Sequence, residues 1–326
     1  MDVGLYVNTQ WPRGATVAVN EVSAQTRAAR DAGFDSIWLP HHYLAAPVQM
    51  FQPMTLLGYL VRESGDMKLG INILLLPLLN PTLVAEEWAT LDVLSEGRAV
   101  LGVGLGSRPE EYEAFNVPFK QRVSRMTEGV ELLRRLWSEE RVTFTGKHFR
   151  VSDAGISLRP VQEGGPPIFV AATVAGSIER AARIGDGWLI GSQDNLATLV
   201  EQVDGYRTAL RQHGRPPQTP AKLTRECYVG SSVNTALEEC RPALEAKYEA
   251  YVSWGSAHDY QSKASLSFED FARDRFLIGD ESSVKEDVAR LAETLSIDQF
   301  LMRTQWLGLP LEASVRTVEA LGRIFA

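Results

Sequence analysis

Eight short runs of strand-like sequence, at residues 3–7, 36–39, 69–76, 99–104, 167–172, 187–190, 223–229 and 299–303, alternate along the chain with stretches of helical periodicity. Strand and helix in turn is the pattern of βα units, which assemble around a parallel sheet. Eight such units point to an α/β architecture, the (β/α)8 or TIM barrel of about 250 residues plus insertions. A length of 326 residues accommodates it as one domain over 1–326. The helices carry matching signals. In 124–137, Met126, Val130, Leu133 and Trp137 form one apolar stripe suited to a barrel wall. Asn80-Pro81 reads as an N-cap followed by proline at the first helical position, with Val84, Trp88 and Leu91 on one face beyond it. No linker rich in Pro, Gly or Ser divides the chain, and no repeat of fixed period runs through it.

The fourth run lies in SEGRAVLGVGLGS, where a polar turn with Arg98 leads into apolar residues that end in alternating glycines, with Arg108 just beyond. It reads as a buried parallel strand opening at its C-terminal end into a backbone-lined pocket, where α/β folds keep their ligands. Charge narrows the ligands. A net −8, from 33 basic and 41 acidic residues with no basic block, argues against nucleic acid or an anionic membrane as partner. A phosphate-bearing small molecule needs only a few arginines and backbone amides. No apolar run approaches the roughly 20 residues needed to span a membrane. The opening MDVGLYVNTQ carries no export pattern, so the expected compartment is the cytoplasm. Cys227 and Cys240 are too few and too far apart for a metal or disulfide framework. The polar, aromatic stretch 251–275 between the seventh and eighth runs is longer than an ordinary connection and reads as a lid inserted between those strands.

Three clusters carry chemistry. His41 and His42 follow the second run directly, at the C-terminal mouth of a barrel strand, where an imidazole can move protons near neutral pH. Adjacent residues on an extended chain point to opposite sides, so the pair makes a poor metal site. The alternative is that one histidine simply holds the strand end. In GVGLGSR, glycines leave room for a ligand near the backbone, and Arg122 and Arg125 downstream can pair with phosphate or with surface carboxylates. In FVAATVAGSIERAARIGDGWLIG, a helix opens near Gly176-Ser177, and its first amides can hold an anion while Ser177 either joins them or caps the helix.

Taken in order, WLPHHY, LGINILLLPLLNP, AEEWATLDVLSEGRAVLGVGLG, AFNVPFKQR and GDGW resemble the bacterial luciferase-like flavin-dependent monooxygenases from residue 1 to about 190, with a looser match at FLIGDESSVKEDVARLA. The resemblance implies a TIM barrel binding reduced FMN at its C-terminal mouth, or the deazaflavin F420 in a sister branch. It implies His42 as the catalytic histidine, with His41 standing where luciferases have glutamate. Cofactor contacts are implied at Asn72, Ile73, Arg122, Thr173, Gly176 and Ser177. Asn72-Ile73 matches a bulge, often with a cis peptide, beneath the flavin ring, and a second arginine of the family falls on Leu105, with Arg108 nearby. The implied reaction is oxygenation of a small organic substrate by O2 through a C4a-peroxyflavin, with FMNH2 supplied by a separate flavin reductase. The alternatives are F420-dependent hydride transfer on the same fold and a flavin-binding barrel without turnover. A homodimer is also implied, with the helix bearing Trp88 and Leu91 as a candidate interface unless that stripe packs on its own barrel.

Overall fold

In a computed structural model, which describes residues 1–253 and 267–326, all eight expected runs are strands of one closed parallel barrel. They are β1 (Asp2–Tyr6), β2 (Ser36–Leu39), β3 (Lys68–Leu74), β4 (Ala99–Val103), β5 (Ile168–Ala171), β6 (Gly187–Ile190), β7 (Ala221–Val229) and β8 (Gln299–Arg303). Each pairs with its sequence neighbours, and β1 closes on β8 through Gly4 opposite Leu301. The outer helices are α1 (Val19–Asp31), α2 (Pro53–Leu60), α3 (Pro81–Leu94), α4 (Arg122–Ser138), α5 (Ala175–Ile184), α6 (Leu196–Gln212), α7 (Val233–Ser253), α8 (Glu281–Leu295) and α9 (Leu311–Phe325). As the sequence suggests, the Asn80 side chain caps α3 by accepting from Thr82 N–H at 2.9 Å. Met126, Val130, Leu133 and Trp137 of α4 are buried on the barrel. Trp88 and Leu91 are also buried within the chain, so that stripe serves its own barrel and not a partner.

Strand alternation sorts side chains between two cores. Outward residues such as Ile37, Leu101 and Val170 meet the helices, while Trp38, Val100, Phe169, Leu189 and Leu301 fill the barrel interior. Trp38 is the largest of these, and its ring meets Phe169 edge-on at 6.2 Å. Room for it comes from Gly70, where a Cβ would lie 2.5 Å from the indole. The glycines of β4 have the same function. A Cβ at Gly102 would sit 2.1 Å from the Ile71 carbonyl oxygen and one at Gly104, just past the strand, 1.9 Å from Ile73 Cδ1, so these two admit the neighbouring strand, while Gly106, next in the alternation, lines the cavity at the mouth. Below the plug, Lys222 is paired with Asp2 at 3.2 Å. Arg98, at the entry to β4, donates to the carbonyl oxygens of Met67 and Val61 and to Ser64, far from the mouth.

Three features lie outside the eight-unit pattern. Gln10–Trp11 pairs antiparallel with Gln49–Met50, Val142–Thr145 forms a hairpin with Arg150–Ala154, and Leu277–Gly279 adds to the outer end of β7. Most of the expected lid, 254–266, lies outside the described residues. Its last part contains the short helix Phe268–Ala272, whose Phe271 is buried against Tyr248 and Phe276. Among the described residues, no helix is long and apolar enough to cross a membrane.

Candidate active site

The C-terminal ends of the strands surround a cavity of about 380 Å³ lined by His41, His42, Asn72, Ile73, Thr173 and Arg303, among others. The two histidines leave β2 in opposite senses, as expected of neighbours on extended chain. His41 is 3% exposed, and its Nδ1 accepts from Leu75 N–H at 3.2 Å just beyond the end of β3. Burial, with His42 alongside, lowers its pKa to about 4, so it stays neutral and fixes the strand end without carrying protons. His42 has a side chain one-third exposed, with Nδ1 3.2 Å from Glu111 Oε1.

Glu111 belongs to the short helix Pro109–Ala114 and is fully buried. The same Oε1 accepts from Tyr43 N–H at 2.9 Å and lies 3.8 Å from Arg108 Nη1, while Arg108 donates to the Tyr43 and Leu44 carbonyl oxygens. A buried carboxylate beside one imidazole nitrogen favours the tautomer with the proton there and leaves Nε2 as the basic nitrogen. The carboxylate, the histidine and the loop that holds them form one unit. Its acid was not among the expected site residues.

The floor comes from β3. The Asn72–Ile73 peptide is cis, as the resemblance implies, and strand pairing with β4 shifts register between Ile71 and Leu74. Asn72 is fixed through its carbonyl oxygen, which accepts from Tyr6 Oη at 3.2 Å, and through its amide, which donates to Thr224 Oγ1 at 3.3 Å. The lining combines apolar Ile73, Ala171 and Leu189 with polar Asn72, Thr224 and Arg303. A planar heteroaromatic ring with polar edges fits such a surface.

The expected phosphate contacts lie apart from this floor. Thr173 lines the cavity, but Gly176, Ser177 and Arg122 sit outside the lining. Ser177 Oγ accepts from Thr173 N–H and Val174 N–H, both at 3.1 Å, so the hydroxyl ties the loop before α5 to the helix's first turn. The Gly176 site remains open, with nothing within 4 Å of where a Cβ would lie. Arg122 stacks on Phe119 at 3.9 Å and donates to its carbonyl oxygen, whereas Arg125 is turned away onto the Pro77 carbonyl oxygen at 2.7 Å. Arg180, missed in the sequence, has a buried Nε with no hydrogen-bond partner, and burial with Arg183 and Arg122 nearby lowers its pKa. Its position one helical turn beyond Ser177 was the available signal. Among the described residues, no group of three His, Cys, Asp or Glu could hold a metal ion.

The comparisons agree with this architecture. The chain is 35% identical over 195 residues to the F420-dependent glucose-6-phosphate dehydrogenase of Kineococcus radiotolerans, covering 57% of each protein. It is 35% identical over 210 residues to the F420-dependent hydroxymycolic acid dehydrogenase of Mycobacterium tuberculosis, covering 61% of this chain and 56% of that one. The match thus spans little more than half the length of these curated relatives. Monooxygenase RslO1 from Streptomyces bottropensis superposes with a TM-score of 0.85 at 24% identity, over 99% of this chain and 98% of that one, a likeness of fold. The profile of the luciferase-like monooxygenases matches residues 1–299, and the chain belongs to that family of oxidoreductases and monooxygenases.

Proposed function

We infer that the chain transfers a hydride between the deazaflavin F420 and a small organic substrate, with His42 as the proton carrier. The observation that carries this reading is the His42–Glu111 pair at the mouth of the barrel, 3.2 Å apart over an apolar floor. Interconverting an alcohol and a carbonyl moves one hydride and one proton, and a base held in a single tautomer serves the proton. When bound, F420 supplies the two-electron hydride acceptor or donor. The chain's own groups do the rest. His42 takes the substrate proton at Nε2, Glu111 holds the imidazole through Nδ1, and the Ile73 side supports the ring. Arg122, Arg180 and the Gly176 turn form the candidate phosphate contact. The F420-dependent names of the two curated relatives support this choice of cofactor over FMN.

The second reading keeps the fold and the floor and uses FMNH2 from a separate reductase with O2, and the monooxygenase description of the family profile favours it. One experiment separates the two. Purified protein is titrated with F420 and with FMN, followed by quenching of cofactor fluorescence, and turnover is then compared with and without oxygen. F420 binding at least tenfold tighter than FMN, with turnover unaffected by removal of oxygen, is expected. Preferential FMN binding with strictly oxygen-dependent turnover overturns the F420 reading.

A further inference from the structure

The polarity of one cavity wall is set from behind. Ser192, in the loop that follows β6, lines the cavity, and its Oγ donates to Glu226 Oε1 at 2.8 Å. Glu226 belongs to β7 and is fully buried. Its carboxylate also accepts from the indole N–H of Trp306, just beyond β8, and from the Lys247 ammonium of α7. Indole N–H and ammonium are donors without an acceptor, so both bonds call for a carboxylate and not a carboxylic acid. Burial pushes the Glu226 carboxyl up, but Lys247 and Arg303 alongside, with the bonds from Lys247 and Trp306, bring it below its ordinary value and keep it ionised.

An ionised carboxylate has no proton to give, so the hydrogen between Ser192 and Glu226 is the hydroxyl's own. That fixes what Ser192 offers the cavity. A serine hydroxyl ordinarily turns to donate or accept as its neighbour requires, but here its one hydrogen is committed and it presents lone pairs. A hydroxyl or N–H facing it gains a hydrogen bond, strengthened by the bond to the carboxylate behind. An ether, carbonyl, carboxylate or phosphate oxygen would set lone pair against lone pair and lose its water for no partner. Placement decides which molecule meets this acceptor. In the ring of eight strands β6 stands opposite β2, so Ser192 lies across the mouth from His42. The candidate cofactor contacts follow β3, β4 and β5, whereas the groups that set Ser192 come from β7, from beyond β8 and from α7.

We propose that Ser192 is a specificity-determining acceptor and that the substrate is a polyol, with one hydroxyl reacting beside His42 and a second, at the far end of the molecule, donating to Ser192. This rests on the oxidoreductase reading only for which hydroxyl reacts. Glu226 is then a positioning residue, acting through the hydroxyl whose hydrogen it holds.

The test titrates trans-cyclohexane-1,4-diol and its monomethyl ether, followed by saturation-transfer NMR, into protein loaded with F420, or with FMN if that is the cofactor it binds. The two probes share a ring and one free hydroxyl and differ in whether the far oxygen can donate. The diol is expected to bind about tenfold or more tightly than the ether. Ser192→Ala should bring that ratio to about threefold or less by weakening the diol, with cofactor affinity unchanged. Glu226→Gln, in which the hydroxyl is free to turn, should narrow the ratio by admitting the ether. Thermal melts check that each variant folds. Should Glu226→Gln fail to fold, Ser192→Ala, which leaves Glu226 its bonds from Trp306 and Lys247, carries the comparison. No diol binding by the wild-type protein, equal affinity for diol and ether, or a ratio unchanged in Ser192→Ala overturns the proposal. So does a tenfold loss of cofactor affinity in Ser192→Ala with the diol preference intact, which assigns Ser192 to the cofactor. A full preference in folded Glu226→Gln removes Glu226 from the selection. If the wild-type protein binds neither F420 nor FMN, the cofactor reading fails by itself, and the same titrations on the cofactor-free protein decide whether Ser192 selects a donor.

Discussion

Two adjacent histidines at the cavity divide two tasks because one is buried and bound to a backbone amide while the other is one-third exposed beside a carboxylate. His41 accepts a backbone N–H and is neutral, so its cost appears as acid sensitivity. Its imidazole ionises near pH 4 in the folded chain and near 6.5 when unfolded. The unfolded chain therefore binds the extra proton over that window, and stability falls as pH drops from 6.5 to 4, by about 3 kcal/mol at most from this group. His41→Asn, which retains an acceptor that does not ionise, flattens that part of the pH dependence in chemical denaturation. An unchanged slope would remove His41 from the acid response. For His42, replacement by Ala is expected to lower turnover by about 10²-fold with the melting temperature little changed. Glu111→Gln presents an amide to Nδ1 and disturbs the tautomer, so kcat falls by about 10²-fold while KM for the organic substrate moves little. If KM rises and kcat holds, the carboxylate positions substrate and not the imidazole. The pair was only half legible in the sequence. His42 stands at a strand end, where chemistry is expected, but Glu111 sits in PEEYEA among other acids and reads as part of a solvated helix. Only folding reveals that it is the buried one.

The barrel strands were legible because their apolar runs end in polar or glycine residues; three match the expected bounds and the other five differ by a residue or two at an end. β3 ends at Leu74 because a short helical turn, Leu76–Leu78, follows at once, so the expected run to residue 76 was too long. The hairpin Val142–Thr145 with Arg150–Ala154 escaped notice because most of its residues are exposed and carry no apolar run. Of the alternating glycines, Gly106 lines the cavity as expected, whereas Gly102 and Gly104 accommodate a strand that is distant in sequence. Gly102→Ala would force a methyl group to within 2.1 Å of a carbonyl oxygen, and it is expected to destabilise the fold by about 1–3 kcal/mol. A stability loss below about 0.5 kcal/mol in a urea melt would show that β3 yields easily. At the start of α5, Arg180→Ala is expected to weaken binding of a phosphate-bearing cofactor by about tenfold. The same substitution should leave affinity for riboflavin, which lacks the phosphate, unchanged. Equal loss for both would place Arg180 elsewhere.

At the scale of the molecule, the helices around α2 and α3 bear on assembly. With Trp88 and Leu91 committed to the barrel, the apolar side chains left exposed on α2 and α3 are Tyr59, Leu83 and Leu94. We propose them as the contact of the homodimer that the family resemblance implies. Sedimentation should give a particle of twice 36.1 kDa that Leu83→Glu dissociates. A wild-type particle of single mass would overturn it.

The plug of Trp38 and Phe169 has a kinetic consequence. The cavity at the mouth and the smaller one at the base, beside Lys222 and Asp2, share no lining residue. Among the described residues the plug thus separates the two cavities, so on the proposed function cofactor, substrate and product share the mouth. On the proposed function, a ring seated on the Asn72–Ile73 floor lies beneath the substrate, so the cofactor is expected to bind first and leave last. Steady-state kinetics should then show ordered addition, with inhibition by excess substrate that occupies the mouth above an empty floor.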